Sequence, residues 1–399
     1  MSALDAAAPY RATPGGAAGL LLAAAPYAMA ALRRIAPIAG RGRFWIVTRY
    51  DDVLEVFAAD QAFGVPYPAN LDIITDRQPF FLGMADTPEY GAQLKRWRSL
   101  IRADDLAALG EAAEARAATI VAAAGGRVDV VDLVRRVAFA LYSDFFGVPD
   151  PAPGRLAIWG SRLFEFQFTG SPDDDAWVAE ARTIAAALRD HIDRVIAARR
   201  AGPARDDILG RALAAGYDAT EIRTVLLCMI VGGPPQPPMV VPNAVEQLLR
   251  RADWLAAAAA AAQANDDARL HDILIEAMRF DPLAPGLKRT ARADYRLAQG
   301  TPRATTIPAG STVITAFASA MRDPRRVPEP ERFDPDRLPR DFVHFGHGLH
   351  ECFGRMLNHA TLHRTIKPLL ARNPRRAAGA EGRLRKAGAF ADRLVVTCD

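Results

Sequence analysis

The thirteen residues FVHFGHGLHECFG, from Phe342 to Gly354, form the most specific pattern in the chain. Two closely spaced glycines, Gly346 and Gly348, allow a tight backbone turn and a close approach to a flat ligand. They precede Cys352, which stands where a helix is expected to begin. A thiolate there is stabilised by the positive end of the helix dipole and by free N–H groups, which also tune a bound metal. This setting suits a metal-binding thiolate, although a lone cysteine is more often an inert buried residue, so the spacing of the residues around Cys352 has to decide.

The spacing around this cysteine resembles the heme-binding loop of cytochromes P450. The matching positions are Phe345, Gly346, Gly348, His350, Cys352 and Gly354. The resemblance implies a single-domain cytochrome P450 fold, mainly α with minor β, and heme b as the cofactor. It also implies that Cys352 binds the iron, that Phe345 lies against the heme, and that His350 contacts a heme propionate.

Other segments resemble the same family in chain order, from about residue 26 to the C-terminus. Arg289, in a short strand-like run, takes the place of an arginine that contacts a propionate. Glu276 and Arg279 share a helix face at i, i+3 and match the family's buried Glu-x-x-Arg pair. By the same resemblance Arg332, in the later proline-rich loop, is expected to complete that pair into a structural network.

One propionate site departs from the family pattern. A histidine followed four residues later by an arginine is usual after an Asp-x-Pro-Glu stretch, and here Asp86–Glu89 is followed by Tyr90. One extra residue then intervenes before Lys95. Tyr90 and Lys95 are the predicted donors, because both side chains can hydrogen-bond a carboxylate, with Arg96 and Trp97 as competitors.

The helix expected over the heme departs more strongly. In the family it carries an acid and a threonine that organise the water supplying protons for oxygen activation. When the sequence is aligned on Gly232–Gly233 and on Asn243, Pro235 replaces the acid and Gln236 replaces the threonine. Proline lacks an N–H and costs about 3 kcal/mol in a helix interior, so the helix should break. Gln236 and Gly233 are the candidate catalytic positions, since glutamine can orient water although it has no useful pKa.

Several functions are compatible with this altered helix. The first is a monooxygenase that acts on a small apolar organic substrate and receives protons from another group. The second is an enzyme that uses peroxide or a hydroperoxide, or that catalyses a rearrangement. Peroxygenases of the family place an arginine beside a proline, and none occurs between Val231 and Asn243. A non-catalytic P450-like partner would typically lack Cys352, and a heme carrier or gas sensor would need no substrate pocket.

Composition restricts the setting of the protein. The chain has 399 residues, half of them hydrophobic, and no biased linker; two domains meeting near residues 200–206 are the alternative to one domain. Three cysteines make no disulfide framework, so a reduced, cytoplasmic protein is expected. A net charge of +4 is mild for a nucleic-acid binder but suits an acidic partner such as a ferredoxin-type electron donor.

Residues 15–32 are apolar, yet mainly alanine, and favour a buried helix over a membrane anchor. Residues 1–25 are predicted to be an N-terminal extension and 26–399 the heme domain.

Local patterns predict mostly helices with strands near each end. Helices are expected over 92–146, 175–200, from about 220, over 254–281 and after Cys352, and strands over 44–50, 305–307 and 312–315. Residues 63–85 are expected to be an irregular, aromatic substrate-recognition loop, and residues 324–339 to be irregular. Leu163–Phe168 is a second candidate lid, with core packing as the rival interpretation.

Overall fold

The helices dominate the chain; most of them share one large hydrophobic core, and a smaller core lies between the largest sheet and two short helices. A computed structural model describes Leu4 and residues 8–12, 17–337 and 342–399. Within those residues the helices are α1 (Ala17–Ile35), α2 (Tyr50–Ala58), α3 (Pro68–Thr75), α4 (Pro88–Ser99), α5 (Ala103–Ala123), α6 (Val130–Phe146), α7 (Arg155–Thr169), α8 (Asp175–Ala201), α9 (Ile208–Ala214), α10 (Ala219–Gly232), α11 (Pro237–Leu249), α12 (Ala252–Gln263), α13 (Asp267–Phe280), α14 (Phe317–Ala320) and α15 (Arg355–Leu370).

Four small sheets lie at the edges of this helical body. The strands are β1 (Ile38–Arg41), β2 (Phe44–Val47), β3 (Phe63–Gly64), β4 (Arg127–Asp129), β5 (Leu287–Ala291), β6 (Tyr295–Leu297), β7 (Thr305–Ile307), β8 (Thr312–Thr315), β9 (Arg375–Arg376), β10 (Arg385–Ala387), β11 (Phe390–Arg393) and β12 (Val395–Thr397). The largest sheet has the order β1-β2-β8-β5-β3, with β2 and β8 parallel. Because β5 is paired to β8 with Arg289 opposite Val313, the sheet fixes the position of Arg289.

Most of the predicted helices and strands are present, although turn residues shift their boundaries. The strands at 305–307 and 312–315 and the long helix from Asp175 are confirmed. Residues 92–146 are mainly helical as predicted and divide into α4, α5 and α6. The predicted long helix 254–281 is instead α12 and α13, separated at Asn265, whose φ is 56°. The segment 63–85 is not wholly irregular, because it contains α3, begun by Pro68 at a favoured first position.

The N-terminal prediction is only partly covered. Helix α1 begins at Ala17, so the predicted boundary at residue 26 falls inside a helix. Residues 1–3, 5–7 and 13–16 of the predicted extension lie outside the described residues, as do residues 338 and 339 of the predicted irregular loop. The division into an extension and a heme domain therefore stays a prediction.

The predicted helix break is confirmed at the centre of the molecule. Helix α10 ends at Gly232, and α11 begins at Pro237. By length and composition the stretch Ala219–Leu249 could cross a membrane, but 78% of its most apolar window is buried inside the protein. Such burial is typical of a core helix.

Candidate active site

Cys352 lies in a tight loop that presents its sulfur beside a helix start. The Cys352 N–H donates to the Phe345 carbonyl at 2.8 Å, which closes the loop. Gly346 and Gly348 both have φ of 75°, a backbone conformation that favours glycine. Helix α15 begins three residues after Cys352, at Arg355, and not at the cysteine itself. The half-buried sulfur is thus set in the turn that leads into the helix.

The electrostatics of this sulfur reflect a thiol shielded from water. Burial raises the pKa of Cys352, while the Gly354 N–H and the Arg355 guanidinium act to lower it. A Cβ at Gly354 would lie 3.9 Å from the Cys352 sulfur, so the absence of a side chain there keeps the sulfur accessible. A thiol in this state needs a cation to become a thiolate, and a metal ion supplies that charge.

Contacts from three separate segments fix the loop. A Cβ at Gly348 would lie 2.6 Å from the Phe57 carbonyl oxygen, so only glycine permits this approach to α2. The Leu349 N–H donates to Asp60 Oδ2 at 3.1 Å, and the Tyr90 hydroxyl donates to the Leu349 carbonyl at 2.5 Å. Asp60 was not found from the sequence, because it lies 289 residues from its partner.

Arg289 and His350 have the properties expected of propionate contacts. Arg289 is 5% exposed, lies 4.9 Å from the Phe57 ring centre, and has no partner for its Nε among the described residues. In the same described residues no group hydrogen-bonds the buried Nδ1 of His350. Burial, then Arg289 and Arg292, lower the pKa of His350 to about 4. Unpartnered buried donors are costly, so an anionic ligand would satisfy them, and the residues fit heme propionates.

The predicted contacts from α4 are not arranged as expected. Tyr90 already gives its single proton to the Leu349 carbonyl, so its hydroxyl positions the loop. Lys95 is exposed and makes no ion pair with the described part of the chain. Five residues turn a helix by about 140° beyond one full turn, which places Lys95 away from the Tyr90 face. The competitors Arg96 and Trp97 instead contact Glu221 of α10, at 3.3 and 3.0 Å.

Arg98 of α4 lies beside the cysteine loop. Its guanidinium carbon lies 5.8 Å from the ring centre of Phe353, the residue next to Cys352, and its charge lowers the pKa of Tyr90. Burial has the larger effect and raises the pKa of Tyr90. The sequence spacing missed Arg98, since the extra residue in α4 obscured which cation follows the loop.

The Glu276–Arg279 pair is buried and bidentate. Arg279 donates to both carboxylate oxygens of Glu276, at 2.8 and 2.7 Å, and to the carbonyls of Met321, Pro330 and Arg332. The prediction that the Arg332 side chain completes the pair is wrong. That side chain is 63% exposed and pairs with Glu329, whereas the buried Arg337 guanidinium lies 3.6 Å from Glu276. Arg332 and Arg337 lie in the same loop, and the conformation of the turn between them decides which guanidinium points toward Glu276.

The break between α10 and α11 is rich in hydrogen-bond acceptors. Pro234 and Pro235 have no N–H, so the carbonyls of Ile230 and Val231 receive no helical i+4 bond. The Gln236 side-chain amide donates to the Gly232 carbonyl, and the Gln236 N–H donates to the Gly233 carbonyl at 3.1 Å. Its Oε1 receives no hydrogen bond from the described residues and is therefore an available acceptor.

Gly233 ends α10 because a side chain would not fit. Its N–H donates to the Met229 carbonyl at 2.9 Å, and a Cβ at this position would lie 2.9 Å from the same oxygen. Gly233 thus shapes the break, and Gln236 provides its polar side chain.

A histidine cluster behind the loop was not anticipated. His271 Nε2 lies 2.8 Å from His359 Nδ1, and the His359 ring lies 5.0 Å from the Phe345 ring. The i, i+4 spacing of His359 and His363 on α15 was a usable sequence pattern, but their pairing with α13 depends on tertiary packing. Within the described residues no group of His, Cys, Asp or Glu is arranged to hold a metal ion.

These buried histidines should make the protein less stable in acid. Burial lowers the pKa of His344 to about 3, and that of His359 and His363 to about 4, from 6.5. The unfolded chain therefore binds more protons below pH 6.5. Stability should be unaffected by these groups above that pH and should fall as the pH drops from about 6.5 to about 4.

Urea unfolding measured between pH 7 and pH 4 tests this expectation. His344→Phe should reduce the pH dependence, because it removes the group with the lowest pKa. His347, exposed three residues later, is the control, and His347→Gln should change nothing. An equally steep loss of stability in the His344 variant would contradict the assignment.

Comparisons with known proteins agree with this geometry. The family model described as Cytochrome P450 matches residues 269–372, which include the Glu276–Arg279 pair and Cys352. Cytochrome P450 monooxygenase PikC of Streptomyces venezuelae is 27% identical over 382 residues, covering 90% of this chain and 86% of the relative. The 6-deoxyerythronolide B hydroxylase of Saccharopolyspora erythraea is 27% identical over 362 residues, covering 84% of each.

Solved structures show the same fold over nearly the whole chain. A mutant of P450 EryK in complex with erythromycin B matches with a TM-score of 0.78 and 24% identity, covering 97% of this chain and 98% of that one. P450BioI in complex with an acyl carrier protein matches with a TM-score of 0.80 and 20% identity, covering 96% and 100%. Together with the buried pair and the cysteine loop, these matches show that the chain belongs to the cytochrome P450 superfamily, whose cofactor is heme b.

Proposed function

We propose that this protein is a heme-thiolate monooxygenase that acts on a small apolar organic substrate, with Cys352 as the iron ligand. The observation that carries the proposal is the placement of Cys352 in a loop beside Arg289 and His350, whose Nε and Nδ1 are buried and have no hydrogen-bond partner in the described part of the chain. A bound heme would supply the oxidative chemistry, favoured by electron donation from the thiolate.

The residues of the chain perform the remaining tasks. The Gly354 N–H lowers the pKa of the Cys352 thiol and so supports the thiolate. Arg289 and His350 would hold the propionates, and Arg98, which lies against Phe353, is a further candidate cation beside the predicted Lys95. Phe345 would support the heme through the backbone bond that closes the loop. In the break between α10 and α11, the Gln236 Oε1 and the carbonyls freed by prolines would accept hydrogen bonds from water and orient it.

A peroxide- or hydroperoxide-dependent reaction is the second candidate. It is favoured by one observation: Pro235 and Gln236 occupy the break, and neither side chain is an acid. Glutamine can hold water in place but cannot deliver a proton at useful rates.

Turnover with the two kinds of oxidant distinguishes the candidates. Probe substrates are erythromycin B, testosterone and vitamin D3, which the names of similar proteins suggest. Each would be tested with a ferredoxin, its reductase and dioxygen, and separately with hydrogen peroxide. Product formed with ferredoxin, reductase and dioxygen supports the monooxygenase proposal. Product formed only in the hydrogen peroxide assay would overturn it.

Substitution of Gln236 tests its proposed role as an acceptor. Gln236→Ala should lower product formed per dioxygen consumed about fivefold, as expected for one hydrogen bond of about 1 kcal/mol. The control is Gln247→Ala near the C-terminal end of α11. The Gln247 side-chain oxygen accepts a hydrogen bond from Arg251, which lies just beyond that end. An unchanged coupling ratio in Gln236→Ala would show that Gln236 is only a spacer.

The remaining assignments follow from this function. A ferredoxin-type protein is the proposed electron donor, and the cytoplasm the proposed location. Neither nucleic acid nor a membrane is proposed as a partner.

A further inference from the structure

Residues 8–12 lie as an extended segment across three elements of the fold. The Ala8 carbonyl accepts from Arg162 Nε of α7 at 2.9 Å. The Tyr10 ring stacks on Phe390 of β11 with ring centres 4.1 Å apart. The Arg11 guanidinium lies 4.8 Å from the ring centre of Trp177 in α8. We call residues 8–12 the strap, because they connect α7, α8 and β11.

A buried carboxylate on α7 holds the strap in place. Glu165 is 3% exposed, and it accepts the Arg11 N–H at 2.6 Å and the Ala12 N–H at 2.9 Å. Hydrogen bonds to a carboxylate are stronger than those between neutral groups. Without the strap this carboxylate would face solvent, so α7 would not retain an unpaired buried charge. Docking and release are therefore both physically acceptable states of Glu165.

A groove of about 480 Å³ runs beside the strap, and Ala387 of β10 and Asp392 of β11 also line it. The strap reaches the hairpin at the Tyr10 ring, which stacks on Phe390, and at Ala12, which lies 3.5 Å from the position of a Cβ at Gly388. Open space therefore lies next to the contacts that hold the strap on the hairpin.

A continuous row of aromatic rings leads inward from the strap. Phe390 lies 6.2 Å from Phe164, Phe164 lies 4.6 Å from Phe168, and Phe168 lies 5.2 Å from Tyr67. Tyr67 leads into α3, and α3 packs against α10. Burial raises the pKa of Tyr67, the Arg289 guanidinium acts to lower it, and the Cys228 thiol of α10 acts to raise it. The row thus runs from the buried ring of Tyr10 in the strap to the side of α10 that α3 contacts.

We propose that the strap is a gate at the outer end of this aromatic row, and that its release admits bulky apolar ligands to the site. This inference rests on the proposed function, because the row leads to the site assigned there. Opening a passage between α7, α8 and the hairpin requires these elements to separate. The strap contacts all three, so its docking restrains that separation. Aromatic rings along the route favour flat or apolar ligands.

Two variants of the full chain test the gate. Tyr10→Ala removes the contact with Phe390, and Ala12→Pro removes one donor to Glu165. Their controls are Tyr27→Ala, which alters a tyrosine that is 81% exposed on α1, and Ala8→Pro, which leaves the Ala8 carbonyl in place. Hydrogen exchange of the Arg11 amide reports docking. Stopped-flow binding of phenylimidazole and of carbon monoxide to the holoenzyme reports access for bulky and small ligands.

Both variants should speed exchange of the Arg11 amide about tenfold, as local opening becomes easier. They should also speed phenylimidazole binding on the order of tenfold, with little change for carbon monoxide. Faster exchange with an unchanged phenylimidazole rate would overturn the gate, and a fast-exchanging Arg11 amide in the unaltered protein would overturn docking itself. A spectrum without a thiolate ligand would instead contradict the proposed function, while hydrogen exchange would still decide whether the strap docks.

Discussion

Replacing Cys352 by serine is expected to abolish the red-shifted carbon monoxide band of the reduced protein. Serine keeps the size of the side chain but removes the thiolate whose electron donation gives that band. Turnover should fall by about 100-fold or more, which corresponds to about 2.7 kcal/mol of lost transition-state stabilisation. Heme should remain bound, since Arg289 and His350 are unchanged. The measurement is a difference spectrum together with heme content per chain.

The two other cysteines provide matched controls for this experiment. Cys398 is half-buried near the C-terminus, and Cys228 lies buried in α10. Cys398→Ser should leave the spectrum and the heme content unaltered. If Cys352→Ser retained the thiolate-type band, the ligand would have to be another residue, and the proposed site would be wrong.

Removing the buried guanidinium of Arg279 should destabilise the whole protein. Glu276 and Arg279 are 1% and 0% exposed, so Arg279→Ala would leave a carboxylate uncompensated in the core. Breaking such a pair costs about 3–5 kcal/mol, against a total stability of about 5–15 kcal/mol for typical proteins. The loop carbonyls of Met321, Pro330 and Arg332 would lose their donor as well. Urea unfolding monitored by circular dichroism measures the loss.

An exposed ion pair on α6 gives the comparison. Arg136 and Asp132 lie 3.7 Å apart with side chains 59% and 53% exposed, so Arg136→Ala should cost less than about 1 kcal/mol. A double change, Glu276→Gln with Arg279→Met, should be milder than Arg279→Ala alone, because no charge is left unpaired. Equal losses in Arg136→Ala and Arg279→Ala would contradict the structural role of the pair.

Local sequence patterns predicted helices and strands well where the formation of these elements depends on local chemistry. Prolines placed the break after Gly232, because Pro234 and Pro235 in succession remove two helical N–H donors. Helical spacing predicted that the side chains at positions 276 and 279 can pair, and the family resemblance predicted that the pair is buried. Element boundaries were less accurate: Asn265 adopts a left-handed conformation that divides one predicted helix into two.

The site was predictable where one short segment carries it, and not where distant segments meet. Cys352, its glycines and His350 all lie within thirteen residues. The Arg332 side chain was the wrong partner of Glu276, because sequence spacing does not show which side chain points inward. The assignment of Lys95 as a propionate contact stays a prediction, although its side chain is exposed. Asp60 and the strap residue Tyr10 act on elements far away in the chain, so no local pattern indicated them.

The sequence by itself determined the cofactor loop, the family it resembles and the loss of the usual acid and threonine. Those features depend on residue identity within a few positions, where covalent geometry and helix periodicity act directly. Tertiary structure alone decided that Arg337, and not the Arg332 side chain, approaches Glu276, that Arg98 lies against Phe353, and that Glu165 holds residues 8–12 against α7. These contacts depend on how helices and loops pack, since the energy of each one exists only when separate segments are brought together.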